Sequence, residues 1–267
     1  MNSNQNLNIY VITHKDINIK LPIQYKKMLV GAYKKPEIIT GYIRDDFSES
    51  NISSKNDNFC ELTGLYWIWH HDLNDIKGLV HYRRFFTTNR YKKSIKYFYT
   101  EYNICKYLNQ YDIIVPERLY IDMPTVKDDY LENHKEQDWI KLKKIIKLYY
   151  PNYINAFETI EKNNWFFPYN MFIATTKVFN AYCEWLFDVL FKLEEIVDLS
   201  EYDNQQARIF GFISERLLAV WILTNNIKYY EAKVVQIDSR FRYRIRRGLE
   251  RLLHRNVKWR KIKYGIG

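Results

Sequence analysis

Short apolar runs that end in polar residues recur along this chain and predict β-strands. The first run, Asn-Ile-Tyr-Val-Ile-Thr, occupies residues 8–13. Another begins at Gly78, becomes polar at His81-Tyr82-Arg83-Arg84 and then returns to aromatic residues. The predicted strands are residues 8–13, 38–43, 78–84, 111–115 and 232–237, and residues 166–174 are predicted to be a loop that enters a strand.

Apolar residues at helical spacing separate these runs and predict amphipathic helices. In the first helix the apolar face consists of Leu62, Leu65, Tyr66 and Trp69. Asn58 is suited to cap its N-terminus. The predicted helices are residues 60–70, 139–149, 155–162, 178–193 and 207–224, and the predicted loops are residues 47–58 and 117–134. Strands that alternate with helices in this way indicate an α/β fold.

The positive charge of the chain is concentrated at its C-terminal end. The whole chain of 267 residues contains 41 Lys and Arg against 31 Asp and Glu, a net charge of +10. Eleven of the basic residues and only one acid, Glu250, lie between Arg240 and Lys263. The remaining body is formally neutral, which argues against a basic nucleic-acid-binding domain.

Cysteine usage and hydropathy favour a cytoplasmic protein. Cys60, Cys105 and Cys183 are widely spaced and form no Cys-x-x-Cys pair, as expected for reduced thiols. The first residues resemble no signal peptide, and no window of about 18 apolar residues predicts a membrane span.

The cluster His81-Tyr82-Arg83-Arg84 falls where the strand at residues 78–84 ends. In open α/β sheets, ligands bind just beyond the carboxyl ends of strands, and guanidinium groups match phosphate oxygens bidentately. Two adjacent arginines there could hold a nucleotide diphosphate. Alternatively, they alternate across the strand and pair with acids on both faces of the sheet. Spacing alone leaves both interpretations open.

Glu215 lies within the apolar helix predicted at residues 207–224. A carboxylate in such surroundings needs a partner or a chemical role. It could be a general base that deprotonates a substrate hydroxyl, or it could form a salt bridge to Arg208 or Arg83. Arg216 adjoins it but points about 100° away on a helix, which predicts a poor partner.

Asp45 and Asp46 follow a predicted strand and could bind Mg²⁺ together with a substrate diphosphate, although paired acids of this kind are common. Apart from the adjacent His70 and His71, the histidines show no metal-ligand spacing, so no structural zinc is predicted. We therefore favour a site without metal or cofactor, and a divalent metal at Asp45 and Asp46 is the alternative.

The C-terminal segment reads as a basic amphipathic helix. Its apolar stripe consists of Ile245, Leu249, Leu252, Leu253 and Val257, and its basic and aromatic face consists of Arg246, Arg247, Arg251, Arg255 and Trp259. This pattern is typical of helices that lie on anionic membranes. RNA binding and packing of the stripe onto the body are the alternatives. The predicted division is a catalytic domain at residues 1–237 and a membrane-surface tail at 238–267.

Several motifs together resemble a bacterial family of capsular and exopolysaccharide synthesis proteins, long catalogued as a domain of unknown function. They are Tyr10 to Lys15, Arg44-Asp45-Asp46, Asn51-Ile52-Ser53, Lys55-Asn56, Cys60 to Trp69, His81 to Phe86, Tyr130 with His134, Tyr169 to Ile173, Trp185-Leu186-Phe187 and Gly211 to Leu218. The characterised members of that family resemble galactofuranosyltransferases. The resemblance implies a GT-A-like glycosyltransferase fold, with a mixed, mostly parallel central sheet flanked by helices.

The resemblance also implies roles for particular residues. The donor-binding residues would be Thr13, His14, Lys15, Asp45, Asp46, Asn51, Ser53, Lys55, Asn56, His81, Tyr82, Arg83 and Arg84. Acceptor-binding residues would be His134, Asn170 and Met171, and Glu215 would be the catalytic base. The cluster at His81 lies where related folds carry an Asp-x-Asp metal motif, so we expect catalysis without a metal.

The resulting prediction is an inverting glycosyltransferase of capsule, exopolysaccharide or lipopolysaccharide synthesis. It would move a sugar, with galactofuranose as the candidate, from a UDP-sugar to a lipid-linked oligosaccharide at the inner face of the plasma membrane, with no nucleic-acid partner. The alternatives are a non-catalytic protein that binds nucleic acid or membrane through its basic tail, and a degenerate transferase fold that serves as an assembly partner.

Overall fold

The computed structural model describes residues 6–237. Its strands are β1 (Leu7–Thr13), β2 (Tyr25–Leu29), β3 (Tyr42–Arg44), β4 (Ile76–His81), β5 (Arg84–Phe86), β6 (Ile113–Pro116), β7 (Leu119–Tyr120), β8 (Trp165–Phe166), β9 (Phe172–Thr175), β10 (Tyr229–Ala232) and β11 (Val234–Gln236). Its α-helices are α1 (Asn56–Phe59), α2 (Leu62–His71), α3 (Glu101–Leu108), α4 (Val126–Leu131), α5 (Glu136–Tyr149), α6 (Ile154–Lys162), α7 (Thr176–Glu194) and α8 (Ile209–Thr224).

One mixed sheet organises this part of the chain. Its main path runs in the order β10-β6-β9-β4-β1-β2-β3, and β5 and β11 extend it from the end of β4. Strands β3, β2, β1 and β4 are parallel, as are β6 and β10, while β9 is antiparallel to both of its neighbours. The predicted mixed, mostly parallel sheet flanked by helices is confirmed.

The strand order places a crevice at the end of β1 and β4. From β1 the chain moves outward to β2 and β3, and it then returns to the other side of β1 to form β4. The carboxyl ends of β1 and β4 therefore adjoin at the point where the order reverses, which is where open α/β sheets bind ligands. Thr13 ends β1 and His81 ends β4 at this crevice.

Both faces of the sheet are covered. Tyr10 and Ile12 belong to the apolar core that includes α2 and α5 to α8, while Ile9 and Val11 are equally buried on the opposite face, as alternation along a strand requires. On that second face Phe85 stacks on Phe98 with ring centroids 4.2 Å apart. Burial on both faces explains the nearly continuous apolar run of β1.

Gly78 allows the antiparallel strand β9 to pair closely with β4. A Cβ atom at Gly78 would lie 2.4 Å from the carbonyl oxygen of Phe172 and 2.7 Å from the Cα of Ile173. No real side chain tolerates such contacts with backbone. The glycine that begins the predicted strand is therefore required by the neighbouring strand.

The structure differs from the predicted elements at several points. The strand predicted at residues 38–43 lies instead at Tyr42–Arg44, and β2 went unpredicted because Lys26 and Lys27 interrupt its apolar pattern. The predicted loops contain the short helices α1 and α4. Asn58 does not cap α2; its amide donates to the carbonyl of Ala207.

The basic tail predicted at residues 238–267 lies outside the described residues, and so do Arg246, Arg247, Arg251, Arg255 and Trp259. Its helical form and the domain boundary at 237 stay predictions. Within residues 6–237, each helix is too short or too polar to span a bilayer.

Candidate active site

The strand predicted at residues 78–84 turns back on itself in the structure. β4 ends at His81, Tyr82 and Arg83 form a turn, and Arg84 begins β5 by pairing with His81. The expectation that Arg83 and Arg84 alternate on one strand is wrong for this reason. The turn directs the two guanidinium groups to different neighbours, since Arg83 lies 4.7 Å from the ring of Tyr82 and Arg84 lies 4.2 Å from the ring of Tyr169.

A cationic cluster surrounds the end of β1. The ring of Tyr82 contacts His14 edge-on with centroids 5.4 Å apart, and the ammonium of Lys15 lies 5.5 Å from the same ring. Thr13 supports this turn, because its hydroxyl donates to the carbonyl of Lys15 at 2.7 Å. Thr13 is buried, and its hydroxyl also accepts a hydrogen bond from the backbone N–H of Lys15 at 3.2 Å.

The surroundings of His14 are positively charged. Burial lowers its pKa, and the nearby cations Lys35, Arg83, Lys15 and Arg208 lower it further. The imidazole is therefore neutral near pH 7. A group surrounded by four cations lies where an anionic ligand would be stabilised.

A second cluster contains carboxylates. Glu215 accepts a hydrogen bond at 2.7 Å from the backbone N–H of Tyr169, and its other oxygen lies 3.0 Å from the guanidinium of Arg216. Arg216 also donates to Asp129 at 2.6 Å. The expectation that Arg216 is a poor partner is thus wrong: its long side chain folds back along α8, where it also donates to the carbonyl of Phe212.

Glu215 is poised to change protonation near neutral pH. Its side chain is only 18% exposed. Burial, helped by the negative charge of Glu61, raises its pKa to about 7, against the opposing effect of Arg216. A carboxyl group with a pKa near the working pH is well suited to general base catalysis.

His81, the last residue of β4, contacts the carboxylate cluster. Its Nε2 is 2.8 Å from the carbonyl oxygen of Tyr169, so this nitrogen donates, and it is 3.9 Å from Glu61. Burial lowers the pKa of His81, and Arg84 and Arg83 act in the same direction. The neutral imidazole thus donates to the carbonyl of Tyr169, and the backbone N–H of the same residue donates to Glu215.

Asn170 fixes the turn that enters β9. Tyr169 and Asn170 have φ angles of 78° and 50°, in the left-handed region that is costly for residues other than glycine, though least so for asparagine. The amide of Asn170 donates to Glu61 at 2.8 Å and to the carbonyl of Gly211 at 2.9 Å, and its oxygen lies 2.8 Å from the hydroxyl of Ser214. Asn170 is therefore buried and fully bonded within the chain.

The other predicted acceptor residues also lie inside the protein. Met171 is completely buried. His134 is 7% exposed, stacks on Tyr130 and contacts Phe212, and burial next to Arg216 lowers its pKa to about 4. Asn170, Met171 and His134 are thus packed inside the protein, and acceptor contact by them stays a prediction.

Asp45 organises a separate network after β2 and β3. Its carboxylate is buried and accepts hydrogen bonds from the N–H groups of Gly31 and Ala32 and the hydroxyls of Ser53 and Thr63, at 2.6–3.0 Å. The nearby polar residues are likewise bonded within the chain. The pairs are Asp46 with Arg44, Asn51 with Ser48 and Ser53, Lys55 with Glu194, and Asn56 with Cys60 and Thr63. The network shapes the loops, and direct donor contact by Asp45, Asp46, Asn51, Ser53, Lys55 and Asn56 stays a prediction.

The sequence prediction assigned no role in the site to three residues that the structure places there. Glu61, at the N-terminus of α2, brings a second carboxylate within the electrostatic reach of Glu215. Arg208 connects the two clusters, because its charge acts on His14 as well as on both carboxylates. Tyr169 joins His81 to Glu215 through its peptide groups. Glu61 and Tyr169 lie inside motifs of the family resemblance, and Arg208 is one of the salt-bridge alternatives for Glu215.

No group of three or more His, Cys, Asp or Glu side chains within residues 6–237 is arranged to hold a metal ion. The two clusters instead combine cations near a strand end with a carboxylate of raised pKa. Tyr82 and Arg84 each have a hydrogen-bonding group that is available to a ligand. The hydroxyl of Tyr82 and the Nε of Arg84 are buried without a hydrogen-bond partner among the described residues. Such a site can bind an anion and accept a proton from a nearby hydroxyl.

The fold resembles that of a known sugar-transferring protein. A solved structure of WbbM, a bifunctional glycosyltransferase in its apo form, matches with a TM-score of 0.79 and 26% sequence identity. The match covers 88% of this chain and 46% of WbbM, so the chain spans about half the length of that protein. The described residues thus have the predicted GT-A-like glycosyltransferase fold.

A search of curated proteins gave no match. At the level of sequence families, residues 8–226 match the domain of unknown function DUF4422. That segment includes all the described residues of the two clusters and most of the sheet. The chain belongs to the DUF4422 family.

Proposed function

We propose that this protein is an inverting glycosyltransferase that takes a sugar from a UDP-sugar. The observation that carries the proposal is the carboxyl group of Glu215, whose pKa is raised to about 7 and which lies beside a cationic strand end. The GT-A-like fold and the similarity to WbbM support sugar transfer in general. Galactofuranose is the first donor sugar to test.

The donor diphosphate would lie against the cationic cluster. Lys15, Arg83 and Arg208 provide positive charge at the ends of β1 and β4 and before α8, and the unpaired hydroxyl of Tyr82 offers a hydrogen bond. Charges that are fixed before the reaction stabilise the negative charge that develops on the departing diphosphate. We propose that these cations do this work without a divalent metal.

Glu215 would act at the acceptor. In an inverting displacement the acceptor oxygen forms a bond to the anomeric carbon, and the bond from that carbon to the diphosphate oxygen breaks, with its electron pair leaving on UDP. The hydroxyl proton passes to Glu215. The N–H of Tyr169 and the guanidinium of Arg216 orient the carboxylate for this transfer.

The proposed acceptor is a lipid-linked oligosaccharide at the inner face of the plasma membrane, in capsule, exopolysaccharide or lipopolysaccharide synthesis. Its support is the basic, amphipathic sequence pattern of residues 238–267, whose charges would attract anionic lipid.

A thermal-shift panel of nucleoside diphosphates tests the donor assignment. UDP should raise the melting temperature of the full chain, and Arg83→Ala should reduce that shift. Arg90→Ala is the matched control, because Arg90 is exposed and paired with Glu117 away from both clusters. Absence of a shift with every nucleoside diphosphate would contradict the proposal.

Turnover provides the second test. The purified protein should release UDP from one UDP-sugar of a panel, and EDTA should leave the rate unchanged. Loss of activity in EDTA with recovery on adding Mg²⁺ or Mn²⁺ would disprove the metal-independent mechanism while leaving sugar transfer intact.

A further inference from the structure

The segment between β5 and α3 contains a closed loop, residues 88–97. Its ends are joined, because Thr87 bridges to Phe98 and the N–H of Thr88 donates to the carbonyl of Tyr97 at 2.8 Å. Thr87, Phe98 and Tyr99 are buried, so both ends are fixed to the core. The residues between them form a surface of defined shape.

This loop is basic in a body that is neutral on average. No acid occurs between Asp75 and Glu101, and the loop itself contains Arg90, Lys92, Lys93 and Lys96. Arg90 pairs with Glu117, whereas none of the three lysines forms a salt bridge to another residue in the range 6–237. Lys92 and Lys96 both lie over the ring of Tyr97, at 5.6 and 5.2 Å, so positive charge converges at one place.

Apolar side chains are interspersed with these cations and exposed to solvent. Tyr91 is 89% exposed, and Tyr102, at the start of α3, is 73% exposed. Ile95 is also exposed, and so is Ile23, whose neighbour Gln24 donates to the carbonyl of Tyr99 at the end of the loop. Single exposed apolar residues are ordinary, but several beside a basic loop indicate an interaction surface.

We propose that the loop at residues 88–97, together with Tyr102 and Ile23, docks on an anionic lipid bilayer. Tyrosines favour the boundary between headgroups and hydrocarbon, where isoleucine enters the apolar layer, while lysines reach anionic headgroups. RNA would use the lysines and tyrosines and leave Ile23 and Ile95 without a role. The inference deepens the proposed function, because a lipid-linked acceptor requires an enzyme that works at a membrane.

Vesicle sedimentation with the full chain tests the proposal. Phosphatidylcholine vesicles that also contain phosphatidylglycerol should bind the protein, and Lys92→Gln with Lys93→Gln should weaken binding about 25-fold, since each basic residue near an anionic surface contributes about fivefold. Tyr91→Ser should weaken it further. The control is Lys144→Gln with Lys147→Gln, which removes two exposed charges from α5.

Equal losses in the loop variant and the α5 control, or unchanged binding in the loop variant, would overturn the proposal. Salt-dependent binding to single-stranded RNA without vesicle binding would overturn it in favour of a nucleic-acid partner. The shift of melting temperature by UDP separates this inference from the proposed function: loop variants should keep the UDP shift, whatever their vesicle binding.

Discussion

Asp45 and Glu215 are both largely buried acids at the carboxyl edge of the same sheet, yet their surroundings differ. Asp45 follows β3, and four donors from neighbouring segments, one of them Thr63 of α2, satisfy both of its oxygens. Glu215 reaches the crevice from α8, receives one backbone N–H and one guanidinium contact, and lies near the second carboxylate of Glu61. The sequence prediction gave both acids roles in the site.

The difference distinguishes a buried acid that stabilises the structure from one that can take part in a reaction. A carboxylate whose hydrogen bonds all come from the chain holds loops in place and has no lone pair left for a substrate. A carboxylate with a raised pKa and a partly exposed side chain retains the ability to exchange a proton. On this basis, substitution of Asp45 should affect stability, and substitution of Glu215 should affect activity.

The largest expected effect is that of Glu215→Gln. The amide keeps the shape of the side chain but cannot accept the acceptor's proton, so kcat should fall about 10²- to 10⁴-fold. Single-turnover transfer from the active UDP-sugar measures it. The UDP-induced thermal shift should persist in this variant, and an unchanged kcat would assign the base to another residue, with Glu61 the first to examine.

The pH profile sharpens the same assignment. Because burial raises the pKa of Glu215 to about 7, the base is protonated and inactive below that pH. In the wild type, kcat/KM should therefore rise about tenfold per pH unit below pH 7 and level off above it. The residual activity of Glu215→Gln should lack this rise.

Asp45→Asn should act on stability. The amide brings two N–H donors to a place where four donors already converge, which leaves buried groups unpaired and costs about 3 kcal/mol of unfolding free energy. Denaturation by urea measures it. The control is Asp57→Asn, since Asp57 is an exposed acid in an ion pair with Lys34 and should change stability by less than about 1 kcal/mol. If Asp45→Asn were stable but no longer bound UDP, Asp45 would have a role in donor binding and not in stability.

Substitutions of Asn170 test whether the turn at residues 169–170 holds the carboxylate cluster in place. Asn170→Ala loses the bonds to Glu61 and Gly211 and places alanine at a φ of 50°, for an expected loss of about 2–3 kcal/mol. Asn170→Gly loses the same bonds without the backbone strain and should be about 1 kcal/mol more stable than the alanine variant. Equal stabilities in urea denaturation would show that the left-handed turn relaxes.

The smallest expected effect concerns His134. Folding lowers its pKa to about 4 from an ordinary value of 6.5, so the unfolded chain binds more protons between these values and stability falls as the pH drops below about 6.5. Between pH 7 and pH 5, the free energy of unfolding of His134→Phe should fall by about 1–2 kcal/mol less than that of the wild type. Urea denaturation at the two pH values measures this, and an identical pH dependence in both proteins would contradict it.

The sequence predicted the sheet and most helices because their apolar periodicity is strong. It placed Thr13 and His81 near the ends of their strands, since β1 and β4 each pass from apolar to polar residues there, but it did not predict that the two ends adjoin. It missed β2, whose lysines break the pattern, and it extended β4 through Arg84, because nothing in the order of residue types marks a two-residue turn.

Residue roles were harder to predict because they depend on contacts between distant parts of the chain. Asp45 could not be distinguished from a ligand-binding acid without the loops that satisfy it. Glu215 meets Tyr169 across 46 residues, and Asn170 meets Glu61 across 109. Local spacing holds no information about such pairs, which is also why no role in the site was predicted for Arg208 and Tyr169.

The position of β9 between β4 and β6 has a consequence for biosynthesis. Gly78 pairs with Ile173, so at about 5–20 residues per second the ribosome needs about 5–20 s to supply the partner of β4. Until then the apolar edges of β4 and β6 lack their common neighbour and can pair with other chains. The segment that closes this gap also brings Tyr169 and Asn170 to the crevice. The nascent chain therefore closes the gap between β4 and β6 and positions Tyr169 and Asn170 in the same late folding step, before α8 supplies Glu215.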